Sequence, residues 1–275
     1  MTELTAAEFF NREAPTYDTD WGTPEEIQLY ADVTYAVLER IKPSPMERLV
    51  DIGCGTGRGG VELAKRWKCQ VVMTDVADAM IEAARQNVRA ADVEKLAQVV
   101  KRDICSVRDL GESRFDMATA EGCPVSYAVD PLVALKEMHA LLRPGGVCMF
   151  TVHSKFWTLG WRYLNGRGHR APEIRNFLAD GRTVYHDTRY GSFALQTYAP
   201  EEIHALTRRA GFVNIRVGAK LIAYCLNFER AQVQEMLKTP EGFAAMKEIE
   251  LQLMEEPSLV GAGQYLQITC EKPRS

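Results

Sequence analysis

The sequence predicts an α/β fold, a mostly parallel sheet with helices on both faces. Three observations carry this. Short apolar runs alternate with helically spaced patterns from about residue 48 to residue 152. The first run, in LVDIGCGTG (Leu49 to Gly57), leads through glycines into a helical pattern. The links between successive runs are about a dozen residues or more, the length that parallel pairing needs.

A short helical pattern opens the chain and ends before Pro15, which leaves Tyr17, Asp18 and Trp21 in a loop. A second helix starts after Thr23, with Pro24 at its first position, and runs to about Lys42. Pro43 and Pro45 separate it from the first strand, Leu49 to Ile52. The helix after the glycines turns Val61, Leu63, Ala64 and Trp67 toward the core. Val71 to Met73 forms a second strand that ends at Asp75, and Met80, Ala84 and Val88 share a face of the next helix. Gln98 to Val100 leads to Asp103, and Phe115 to Thr119 gives a fourth strand. A helix from Pro131 to Leu142 stops at RPGG, and Val147 to Val152 is the fifth strand.

From Ser154 to Pro200 no long periodic run is visible, so an irregular insertion is expected there. A helix restarts at Pro200, a sixth strand lies in AGFVNIRV (Ala210 to Val217), and a mixed-charge helical region spans about Phe228 to Glu255. Tyr265 to Cys270 is the seventh strand. The expected organisation is one domain over residues 1–275. It comprises an N-terminal helical lid (1–46), a cofactor-binding core (47–155), a substrate-facing insertion (156–200) and the C-terminal part of the sheet (201–275).

Bulk properties narrow the classes. The 275 residues carry a formal net charge of −4, with no basic footprint for nucleic acid. MTELTAAEFF has acids where a secretory leader has basic residues, and no apolar run is long enough to span a bilayer. Seven cysteines without paired spacing suit reduced thiols, so a cytoplasmic location is expected.

Glycines at 53, 55 and 57 let the backbone approach a ligand closely, and the free N–H groups of the helix start attract an anion. Gly55, Gly57 and Gly60 fit the dinucleotide spacing G-x-G-x-x-G, which would imply NAD or FAD. Asp51, two residues before the first glycine, does not fit that reading, because the dinucleotide turn follows an apolar strand directly. Asp75 stands where a carboxylate can accept from ribose hydroxyls, or else simply cap the next helix.

The strand-end Asp51 followed by G-x-G-x-G resembles the first motif of the class I S-adenosylmethionine-dependent methyltransferases, whose Rossmann-like core has seven strands. The resemblance implies S-adenosyl-L-methionine as cofactor, held by Asp51, Gly53, Cys54, Gly55 and Gly57. It places the ribose at Asp75 and Val76, the adenine at Asp103 and Ile104, and the methionine end at Ala120 and Glu121. Phe10, Ala14, Tyr17 and Asp18 (F-x3-A-x2-Y-D) are similar to the entry segment of the ubiquinone/menaquinone-biosynthesis type, in which the Tyr covers the cofactor. Beyond the fourth strand the chain departs from the nucleic-acid base methylating patterns. CPVSY replaces Asn-Pro-Pro-aromatic, and Cys123-Pro124 reverses the Pro-Cys order.

What the resemblance implies is methyl transfer to an O or N atom of a small molecule by in-line displacement, with proximity and orientation as the main contribution. A general base is needed only when the acceptor atom carries a proton, and His153 and Tyr127 are the candidates, with Tyr185 and His186 behind them. The insertion supplies Phe156, Trp157, Trp161, Tyr163, Phe177, Tyr185, Tyr190, Phe193 and Tyr198 among Arg162, Arg167, Arg170, Arg175, Arg182 and Arg189. Such walls suit an aromatic or heterocyclic acceptor, or stack single-stranded nucleic acid, or merely pack the insertion. The acidic balance makes nucleic acid the lesser partner, and no metal is expected. A thiol acceptor site of the arsenite-methylating kind would need more than Cys123 and Cys225. The remaining alternatives are a tRNA or rRNA methyltransferase and a non-catalytic nucleotide-binding protein.

Overall fold

A computed structural model describes residues 3–20, 22–164, 171–226 and 230–274; of residues 223 and 224 only the backbone is described. Trp21, Arg167, Arg170 and Phe228 lie outside the described residues. In the segment expected as a lid, α1 (Ala6–Glu13), the single turn α2 (Tyr17–Asp20) and α3 (Pro24–Ile41) precede the sheet. Thr5 with Glu8 and Thr23 with Glu26 each form a reciprocal cap, which fixes where α1 and α3 begin. Tyr17 and Asp18 are therefore not in a loop: α2 follows Pro15 at once.

The core alternates as the sequence predicts. The elements are β1 (Arg48–Ile52), α4 (Arg58–Trp67), β2 (Gln70–Asp75), α5 (Asp78–Ala90), β3 (Ala97–Lys101), β4 (Phe115–Ala120), α6 (Pro124–Tyr127), α7 (Pro131–Leu141) and β5 (Leu142–Ser154). Strand β5 starts at Leu142 instead of Val147: Leu142 already pairs with Phe115, and RPGG, with Gly145 at φ +73°, forms an irregularity before the register resumes at Val147 opposite Met117. After the insertion come α10 (Pro200–Arg209), β8 (Val213–Lys220), α11 (Ile222–Leu226), α12 (Arg230–Leu237), α13 (Pro240–Leu253) and β9 (Tyr265–Glu271). The expected long C-terminal helix is thus divided, since Thr239 caps a new helix whose first residue is Pro240.

The main sheet runs β3-β2-β1-β4-β5-β9-β8, with β9 antiparallel to both its neighbours and the remaining strands parallel. Side chains alternate between two cores. Val50, Phe115, Ala118, Phe150 and Leu266 pack under α7 and α10, while Leu49, Met73, Met117 and Met149 pack under α3 and α4. Burial on both faces makes the parallel strands read as apolar runs.

The insertion is regular, contrary to the irregular segment expected from sequence. Residues 155–164 form α8 (Lys155–Thr158) and a π turn, and α9 (Ala171–Asp180) leads into the hairpin β6 (Arg182–Asp187) and β7 (Gly191–Tyr198). Its strands alternate over only six and eight residues, and β7 joins the sheet through a two-residue pairing with His153 and Ser154. This local pairing leaves little signal at helical spacing. The hairpin holds the lid from outside. Leu4 N–H donates to the Ser192 carbonyl at 2.8 Å, and Asp20 accepts from Arg189 at 2.5 Å and from the Tyr190 hydroxyl at 3.1 Å. Among the described residues, no helix is long and apolar enough to cross a membrane.

Candidate active site

The parallel strands β1, β2 and β4 end along one edge, and there the backbone turns through glycines. Gly53, Gly55 and Gly57 all sit at positive φ (+68°, +55° and +77°), a region L side chains rarely enter. Asp75 holds the turn in place: its carboxylate accepts from Gly55 N–H and Ala77 N–H, both at 2.9 Å. The acid read as a ribose ligand is therefore also the clasp of the glycine loop and a cap for α5. A carboxylate has about four lone-pair sites, so two remain for hydroxyl donors. Burial pushes its pKa up, against the pull of those backbone N–H groups.

Two cavities open from this edge and share Phe10, Tyr17, Gly53, Gly122 and Tyr127 as walls. One, of 630 Å³, has Gly55, Asp75, Val76, Asp103 and Ile104 on its wall. The other, of 280 Å³, has Asp51, Cys54, Thr119, Glu121, Tyr127 and His153. Tyr17 lies between them: a Cβ on Gly55 would meet its ring at 3.4 Å, and one on Gly122 its hydroxyl at 3.4 Å. The lid is tied down beside it, for Asp18 accepts from Thr56 Oγ1 at 2.9 Å and pairs with Arg58 at 3.3 Å.

The sequence candidates thus converge, with corrections. Gly57 lines neither cavity; it starts α4, and a Cβ there would lie 2.9 Å from the Ala84 Cβ. Gly60 likewise makes room for packing, since a Cβ would meet Met73 Sδ at 2.3 Å. The Ala120 side chain is fully buried in the sheet core, leaving Glu121 and Gly122 as the walls. His186 is exposed on the hairpin, bonded through Nδ1 to Ser192 Oγ at 2.5 Å, and lines neither cavity. Of the insertion's aromatics, Tyr185 and Phe193 line the smaller cavity, while Trp157 and Trp161 stack on each other at 5.4 Å. Arg182 faces the larger cavity, and Arg189 is taken up by Asp20 and Asp187. Cys123 is buried, and burial pushes the Cys225 thiol up to about 12, so neither is a poised thiolate.

Residues 49–146 match the family described as a methyltransferase domain. The chain carries an S-adenosylmethionine-dependent methyltransferase domain. The chain is 23% identical to the tRNA 5-carboxymethoxyuridine methyltransferase of Escherichia coli (strain K12), over 98% of this chain and 95% of that protein. It is 26% identical to the demethylmenaquinone methyltransferase of Staphylococcus aureus (strain JH9), over 62% of this chain and 69% of that one. Among solved structures, the [4+2]-cyclase SpnF shares the fold with a TM-score of 0.63, at 18% identity, over 100% of this chain and 99% of that one. Haemonchus contortus phosphoethanolamine N-methyltransferase 2, solved with S-adenosyl-L-methionine, does so at 0.56 and 17% identity, over 96% of this chain and 60% of that one.

The walls of the methyltransferase crevice fit the donor's charges. Asp51 is buried, accepts from Thr119 Oγ1 at 2.8 Å, and is pushed up to a pKa of about 6 by that burial and by the nearby Glu121 and Asp75. Glu121 keeps one buried carboxylate oxygen, Oε1, without a hydrogen-bond partner. The buried Asp51 carboxylate and the open Oε1 of Glu121, whose Oε2 is paired with Lys220, favour a ligand with a cationic group beside the glycine loop, which a sulfonium or an ammonium supplies. With Asp51 at about 6, the ligand-free protein holds a proton there at pH 5, and binding a cation must expel it. Affinity for S-adenosylhomocysteine is therefore expected to fall by up to about tenfold per pH unit below pH 6. Asp51→Asn flattens that slope in calorimetric titrations; an equally steep slope in the variant would assign the proton elsewhere.

Sequence reasoning missed Tyr30, Tyr265, Glu13 and Lys220. Tyr30, Tyr265 and Glu13 line the smaller cavity, and Glu13 is raised by burial to about 7. Lys220 ends β8, far along the chain from every motif, and nothing in its neighbourhood marks it apart from its place at a strand end.

Proposed function

We propose that the methyltransferase acts on an N or O atom of a small aromatic or heterocyclic molecule held in the 280 Å³ cavity. The observation that carries this is the pair Tyr127 and His153, with hydroxyl and Nε2 2.9 Å apart, on the wall of an aromatic cavity that adjoins the glycine loop. When bound, S-adenosylmethionine supplies an activated methyl group on positively charged sulfur. The chain's own residues do the rest. Asp51, Gly53, Cys54, Gly55 and Glu121 hold one end of the donor, and Asp75, Val76, Asp103 and Ile104 the other, with Gly57 setting the start of α4 behind them. Phe10, Tyr185, Phe193 and Tyr265 sandwich the acceptor and exclude water; alignment of this kind is worth about 7–11 kcal/mol of the barrier.

Burial lowers the His153 pKa to about 4, so its imidazole is neutral at physiological pH and free to accept through Nε2. Its backbone N–H is fixed by Ser126 Oγ at 3.0 Å. Tyr127, which lines the cavity beside His153, keeps its own proton, because burial raises its pKa. A hydroxyl or ammonium acceptor then passes its proton to the Tyr127 oxygen as that group donates to His153.

The cavity's charges bear on the acceptor. Asp51 and Glu121 are given to the donor, and Glu121 is also paired with Lys220, so Glu13 is the carboxylate left to the acceptor, while the wall's cation, Arg58, is paired with Asp18. With no cation on the described wall left to meet a carboxylate, this supports a neutral or cationic acceptor. A tRNA substrate is the second reading, favoured by the near full-length likeness to the E. coli tRNA enzyme and by Arg102 and Arg182 on the larger cavity. Incubation with methyl-labelled donor, in parallel with a metabolite extract and with total tRNA, separates the two. Label is expected in a small organic-soluble product; label confined to tRNA would replace this reading with the second.

A further inference from the structure

Lys220 is fully buried, yet its ammonium lies among polar groups of α3 and of the turn after β4 at the strand-end edge. Nζ donates to Glu121 Oε2 at 2.7 Å and to Thr34 Oγ1 on α3, and it sits 3.5 Å from the centroid of the Tyr30 ring. Tyr30 also donates to the same Glu121 oxygen at 3.2 Å. All of this fixes Oε2, while Oε1 is buried without a hydrogen-bond partner. Glu121 follows β4, two residues beyond the Thr119 that bonds Asp51, and shares the cavity wall with Asp51 and Gly53.

We infer that Lys220 is a positioning residue for the donor: it pins Glu121 through Oε2 so that Oε1 receives the donor's amino group. Lys220 Nζ and the Tyr30 hydroxyl both donate to Oε2, and Thr34 Oγ1 accepts from Nζ, so one carboxylate oxygen is held in place and the other, Oε1, is left open. Helix α3 supplies both Tyr30 and Thr34. Lys220 is too deep to touch the donor itself. The inference rests on the donor-binding reading of the crevice, and it deepens that reading by assigning the amino-group subsite.

The test compares two probes, S-adenosylhomocysteine and 5′-methylthioadenosine. They share the adenosine and the thioether, but only the first has the amino acid end. In calorimetric titrations, Lys220→Met is expected to weaken S-adenosylhomocysteine about tenfold or more and to leave 5′-methylthioadenosine within about twofold, the loss of one charge-assisted bond. Glu121→Gln, which keeps the shape, is expected to reproduce that pattern and carries the test if Lys220→Met does not fold. The double variant is expected to be no worse than the poorer single one. Equal loss of both probes, or an unchanged ratio in Glu121→Gln, overturns the assignment. Wild-type protein that binds neither probe instead overturns the donor reading on which it rests.

Discussion

Gly53→Val is expected to abolish S-adenosylhomocysteine binding and to destabilise the protein by about 3 kcal/mol or more. Two independent costs add at this residue. Gly53 has φ +68°, and left-handed backbone costs an L residue roughly 1–2 kcal/mol, more when it is β-branched. A Cβ there would also lie 2.6 Å from Pro124 Cβ and 2.8 Å from its Cγ. That neighbour cannot swing away, because it is a ring at the first position of α6. Relief must come from moving the glycine loop or α6, and both carry walls of the two cavities. Gly160→Ala is the control, since nothing lies within 4 Å of a Cβ at that position. Thermal melts and titrations of the two variants check the claim; a Gly53→Val protein that melts and binds like wild type would show that the loop geometry is not the binding determinant.

Tyr127→Phe is expected to lower kcat/KM by about 10²–10⁴-fold for an acceptor that carries a proton on its attacking atom. S-adenosylhomocysteine affinity should stay unchanged, because the lost hydroxyl bonds His153 at 2.9 Å and none of the groups assigned to the donor. His153→Ala should fall in the same range, and the double variant little further, since the two act as one relay. The pH profile gives a second reading. With His153 held at about 4, the histidine should contribute no ionisation near its usual value of about 6.5, and a step arising from Asp51, at about 6, or Glu13, at about 7, should survive in His153→Ala. An intact rate in Tyr127→Phe, or a step near pH 6.5 that disappears in His153→Ala, would contradict this role.

The core was legible because its signals are local. Asp51, the glycines and Asp75 lie within 25 residues on consecutive strand ends, and parallel register brings strand ends together without further information. The place of His153, at the end of β5, follows from the same logic, whereas Tyr127 ends the single turn α6, whose position sequence spacing does not give. The hairpin was not legible, because β6 and β7 are short, partly exposed strands that pair chiefly with each other. Lys220 was invisible for a different reason: a lone lysine at a strand end normally reads as solvated, and only the tertiary approach of Glu121 and Thr34 makes it a buried ion pair. Gly57 is the opposite case, a motif position that lines neither cavity and lets α4 pack against Ala84.

A crystal structure grown with S-adenosylhomocysteine tests the placement of the donor most directly. The adenosine is expected between Asp75 and Ile104 and the amino acid end against Asp51 and Glu121, with the Tyr17 ring moved from its present place between Gly55 and Gly122. A ligand found elsewhere, or a crevice in which Tyr17 keeps its contacts with both glycines at saturating ligand, would contradict it.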